Sequence, residues 1–157
     1  MNKNNQYPMG SVSHGTLRSE DLIPDFMSEL QWLANIHKRS DHIKLCKEIT
    51  ARMEEDECYE VYYASDDSEY DLEALFDALN EYAAPYFYFG AHPGDGADYG
   101  YWLSENMEYD FDGLKVSDLS EVPKDYAGEI IHINDHGNMT LYSKAKTQQP
   151  REIWAVV

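Results

Sequence analysis

Lysine and arginine are missing from a long stretch of this 157-residue chain: none occurs between Met53 and Leu114. Those 62 residues hold 18 of the 30 aspartates and glutamates, while the remainder holds 12 acids and 12 bases. The whole formal net charge of −18 therefore resides in the middle of the chain. A field this negative repels nucleic acid and anionic membrane, so neither is expected as a direct partner. Basic surfaces are attracted instead. Disorder, a common fate of charge runs, does not fit, because the tract is also rich in Tyr, Phe, Leu and Trp.

Other absences narrow the class further. No run of 18 apolar residues occurs, so no membrane-spanning helix is expected. The opening MNKNNQYPMGSVSHG lacks the apolar centre of a secretory leader and reads as a flexible arm over residues 1–14. A single domain is expected over residues 15–157. The two cysteines, Cys46 and Cys58, are too few for a disulfide framework and lack zinc-type spacing. Free thiols and a cytoplasmic setting follow as expectations. The chain has no GxGxxG or Walker spacing, no HExxH, no CxxC and no GxSxG. An enzyme is therefore not expected, nor is a cofactor.

What is present reads as α+β, with N-terminal helices packed on one face of an antiparallel sheet of about five strands. Leu22, Ile23, Phe26, Met27, Leu30, Leu33 and Ala34 recur at helical spacing, with Ser19 or Thr16 as the cap and Pro24 marking a short turn and kink near the start. Ile43, Cys46, Ile49 and Met53 stripe a second helix, which assigns Cys46 to packing rather than reactivity. Residues 58–64 suit either a strand or an extension of that helix. A third helix is expected from Ser68, with Asp71 as its capping-box acid and Pro85 as its stop. Strands follow in YFYFG, YGYWL, GEIIHIND, MTLYSKA and REIWAVV, and a short helix is expected at 117–121.

The loop inside YFYFGAHPGDGADYGYW, residues 86–102, invites a chemical reading. Its glycines do not fit a phosphate cradle, for it has no lysine and no following helix. Pro93-Gly94 suits a type II turn, and Asp95-Gly96 a tight reversal. His92, Asp95 and Asp98 are candidate metal ligands, joined by His132 or His136 if the two hairpins pair. A metal-dependent enzyme or ligand-binding domain on the His92–Asp98 loop is the alternative reading. Asp110, Asp112, Asp118 and Glu121 resemble part of a calcium loop, but Leu114 and Lys115 occupy its fifth and sixth positions, where the sixth requires glycine.

The strongest constellation is electrostatic. Glu69, Glu73, Asp77 and Glu81 stand at steps of four along the third helix, about 6 Å apart in rise. No base on that helix offsets them. Like charges at this spacing weaken a helix by a few tenths of a kcal/mol per pair, so the row costs stability. A row of carboxylates at roughly 6 Å steps resembles a phosphate backbone and suits the Lys and Arg of a nucleic-acid-binding groove. Glu54, Glu55, Asp56, Glu57, Asp66 and Asp67 extend the same candidate surface.

At HGTLRSEDLIPDF (14–26), YFYFGAHPGDGADYGYW (86–102) and INDHGN (133–138) the sequence resembles a family of small acidic proteins carried by phages and plasmids. No activity is established for that family, so no catalytic residue carries over. The resemblance implies a mobile genetic element, a setting in which inhibitors of restriction and CRISPR systems are common. The expectation is a non-enzymatic, nucleic-acid-mimicking inhibitor whose partner is a basic nucleic-acid-binding protein or complex of host defence.

Overall fold

A computed structural model describes residues 7–55 and 59–157. The chain is α+β, as expected, but its strands form two sheets, of three and four strands, rather than one of five. It divides into two compact units. One is Met9–Ser104; Glu105–Val157, with residues 7 and 8, belongs to the other.

The first unit opens with β1 (Gly10–His14), followed by helices α1 (Ser19–His37), α2 (Ser40–Glu54), α3 (Glu60–Tyr63) and α4 (Asp66–Asn80). The hairpin β2 (Phe87–His92) and β3 (Asp95–Leu103) completes it. The sheet order is β1-β3-β2, antiparallel throughout. Residues 10–14, expected within a flexible arm, are thus an edge strand. Gly100 makes this possible: a Cβ there would lie 2.1 Å from the Gly10 carbonyl oxygen, so only glycine lets β1 approach. The ambiguous segment resolves as the single helical turn of α3, and Cys58 lies outside the described residues.

Helix α1 runs through Pro24 without interruption, and Pro24 stands exposed. Its buried stripe is the one the spacing gives: Leu22, Ile23, Phe26, Leu30, Leu33 and Ala34. Phe26 sits at the centre of the core. Its ring meets those of Phe76 and Phe89 edge-on at 5.1 and 5.0 Å. Cys46, Ile49, Leu75, Leu79 and Tyr101 close around it. The Tyr101 hydroxyl donates to the Leu79 carbonyl at 3.2 Å, a second bond to an acceptor that already takes the Tyr82 N–H at the end of α4.

Two cap expectations are corrected. The cap position of α1 is Arg18, and Thr16 acts beside it, accepting from the Arg18 N–H and donating to Asp21. Helix α4 starts two residues earlier than Ser68, and Ser68 is buried, donating to the Ser65 carbonyl. Asp71 is therefore too far into the helix to cap it. It is 5% exposed and accepts from Nε and Nη2 of Arg52, together with the Tyr62 hydroxyl at 3.0 Å. The charge pairing of a second helix, invisible to a local motif, claims the acid.

The second unit contains α5 (Met107–Asp110), β4 (Leu114–Val116), one 3-10 turn (Leu119–Glu121), β5 (Gly128–Ile133), β6 (Met139–Lys144) and β7 (Arg151–Val156). The sheet order is β4-β5-β6-β7. Strands β5, β6 and β7 pair antiparallel as their sequences suggest. The addition is β4, parallel to β5 with Leu114 opposite Ile130. Three residues are too few to display a period of two. Ile130, Ile131, Leu141 and Trp154 are its most deeply buried side chains.

Candidate functional site

Helix α4 has no side-chain cap bond, yet three acids occupy its first turn. Asp66, Asp67 and Glu69 there oppose the positive end of the helix dipole, which favours the start. Beyond that point acids work against it. Asp77 and Glu81 approach the negative end, where no base of α4 meets them.

With 3.6 residues per turn, Asp66, Glu69, Glu73, Asp77 and Glu81 fall within an arc of about 120°. All five are exposed. Tyr70, 69% exposed, stands among them. The opposite face carries Leu75, Ala78 and Leu79 into the core. One helix thus joins an apolar anchor to an acidic outer face, and packing supplies the stability that like-charge repulsion removes.

Glu81 differs from the others in the row. Arg39, in the turn between α1 and α2, donates to Glu81 at 2.8 Å and also grips Asp41 through two nitrogens, at 2.7 and 3.0 Å. This guanidinium holds the Asp41 carboxyl well below the usual carboxylate range. A third contact reaches His42 Nε2 at 3.0 Å. His42 Nδ1 in turn lies 2.7 Å from the Tyr82 hydroxyl. Among the described residues, the uncompensated part of the row is therefore Asp66, Glu69, Glu73 and Asp77.

The remaining acidic candidates separate. Glu54 ends α2 and Glu55 follows it, both exposed. Asp56 and Glu57 lie outside the described residues. Three acids that the sequence reading left out are brought together elsewhere. Glu20 and Asp21 of α1 and Glu60 of α3 line an open pocket of about 600 Å³ with Tyr59 and Tyr63. Glu20 is paired with Arg18. No spacing signal joins residues 20–21 to 59–63; only the packing of α1 and α3 does.

In the β2–β3 hairpin each metal candidate has a local partner. His92 Nδ1 accepts from the Gly94 N–H at 3.0 Å, and its ring meets Trp102 edge-on at 4.6 Å. Asp95 accepts from the Ala97 N–H at 3.0 Å, and Asp98 from the Ser11 hydroxyl at 2.6 Å. Gly94 does not take the positive φ that a type II turn requires. The expected reversal at Asp95-Gly96 is instead an irregularity inside β3: His92 pairs with Asp95, while Ala91 pairs with Tyr99.

His132 lies on β5, its Nε2 3.1 Å from the Ser117 carbonyl, and His136 lies in the β5–β6 turn, held by Asn134. Among the described residues no three His, Cys, Asp or Glu side chains are grouped so as to hold a metal ion. The partial calcium loop is used locally as well. Asp118 caps the 3-10 turn through the Ser120 N–H, which lowers its pKa, and Glu121 accepts from Ser117. Cys46 is 2% exposed, and burial pushes its thiol up, away from the reactive thiolate.

Comparison with known proteins gives no match to any family model, curated protein or solved structure. Among the described residues no helix is long and apolar enough to cross a membrane.

Proposed function

We propose that this protein is a non-enzymatic inhibitor that occupies the basic groove of a nucleic-acid-binding host defence complex, of the restriction or CRISPR type. The observation that carries the reading is the outer face of α4: four exposed carboxylates, uncompensated among the described residues, around an exposed tyrosine, with no base on the helix. The unit that holds it has 20 acids and 6 bases, a net charge of −14.

Carboxylates at this spacing accept charge-assisted hydrogen bonds from lysine and arginine as phosphates do. Tyrosine adds contact area and a hydroxyl at low entropic cost, as binding surfaces commonly use it. The acidic pocket walled by Tyr59 and Tyr63 in the same unit suits a basic side chain, since ring faces attract cations. Glu73 and Asp77, beyond the first turn, add a like-charge cost that no dipole or base of α4 offsets, which is expected of a surface retained for binding.

The test is inhibition of DNA cleavage by a purified restriction endonuclease and a purified RNA-guided nuclease. Inhibition should compete with DNA and weaken as salt rises. Reversal of Glu69, Glu73 and Asp77 to lysine should abolish it, whereas Glu105→Lys in the second unit should not. Equal inhibition by the triple variant would remove α4 from the interface.

A further inference from the structure

The loop joining β6 to β7 encloses, with the segment before β5, an open pocket of about 390 Å³. Its lining includes Lys124, Lys144, Gln148 and Gln149, and no aspartate or glutamate. On a chain of charge −18, that local excess of bases requires a reason.

Lys144 is the centre of it. The residue is only 9% exposed. Its ammonium donates to the carbonyls of Lys124 and Tyr126 at 2.9 and 2.8 Å. An ammonium has three N–H groups, and these two bonds use two. Among the described residues Lys144 has no third acceptor and no carboxylate partner. Two carbonyl dipoles orient this part-buried ammonium without a carboxylate to balance it, which leaves it disposed to take an anion. Lys124, Gln148 and Gln149, residues whose side chains carry donors, belong to the same lining.

We propose that this pocket binds a small oxyanion, held by Lys144 from beneath and by Lys124 and the two glutamines from the rim. The carbonyl contacts hold Lys144 in place before the ligand arrives, so little ordering remains to be done on binding. The site is independent of the α4 surface and of the inhibitor reading.

The experiment titrates inorganic phosphate, and separately citrate, into the full chain by calorimetry, with sodium chloride at equal ionic strength as control. A saturable isotherm that chloride does not reproduce is expected. Saturation separates binding from the general stabilisation that excluded anions give any protein. Response to phosphate alone identifies a phosphoryl ligand; response to citrate alone identifies a carboxylate. Lys124→Met, at an exposed side chain, should weaken binding about tenfold, the loss of one charge-assisted hydrogen bond. Lys144→Met should abolish it. If Lys144→Met does not fold, Lys124→Met decides. Unchanged affinity in Lys124→Met, or no saturable binding of either anion, would overturn the proposal.

Discussion

At the scale of single residues, a few positions fix much of what can be measured. Gly100 admits β1, because any Cβ would strike the Gly10 backbone. Gly100→Ala should lower unfolding free energy by about 1–3 kcal/mol, the usual cost of overpacking, in urea denaturation. Arg52 neutralises buried Asp71, and its own side chain is 37% exposed. Arg52→Met should therefore cost about 2 kcal/mol, less than a fully enclosed pair, and a double-mutant cycle with Asp71→Asn should recover part of the loss. Tyr101 is buried, and burial raises its phenol well above the ordinary tyrosine range; Tyr62 is raised by burial first and then by its bond to Asp71. A raised native pKa means that the folded state holds the proton more tightly. Its stability contribution is complete below the unfolded value of about 10 and is lost as pH rises beyond it. Urea stability measured across alkaline pH should fall from about pH 10. In Tyr101→Phe that fall should be shallower, although the lost hydrogen bond costs about 1 kcal/mol at neutral pH.

At the scale of elements, the proposed role of α4 sets stability against binding. Glu73 has a carboxylate one turn before it and one turn after, Glu69 and Asp77. Glu73→Lys replaces two repulsions by two attractions, for a gain of about 0.5–1 kcal/mol at low salt. Thermal unfolding should show the gain, high salt should erase it, and inhibition should weaken. A variant that became less stable would mean that Glu73 has a structural partner. The periodicity of α1, α2 and α4 was legible because each buries one stripe, and the hairpins were legible from aromatic and β-branched runs. The strand β1 was not, for Gly10–His14 is polar and pairs only because of a glycine 90 positions away. Asp71 was misread for a related reason: a capping motif is local, while Arg52 and Tyr62 reach it through tertiary packing. The acidic row itself was legible as spacing. Its pairing of Glu81 with Arg39 was not, since that contact joins residues 42 apart.

At the scale of the whole molecule, charge is divided unevenly. Met9–Ser104 carries −14 of the −18, while the pocket around Lys144 gathers bases within the other unit. An acidic protein that competes with DNA should associate fast and lose affinity steeply as ions screen the encounter. The most direct measurement is displacement of labelled DNA from a purified DNA-cleaving defence nuclease, at about 50 and 200 mM salt, by the wild-type chain and by the Glu69→Lys, Glu73→Lys, Asp77→Lys variant. The account predicts displacement by the wild type, weaker by roughly tenfold or more at the higher salt, and none by the variant. Displacement by the variant at wild-type concentrations, or binding indifferent to salt, would contradict it.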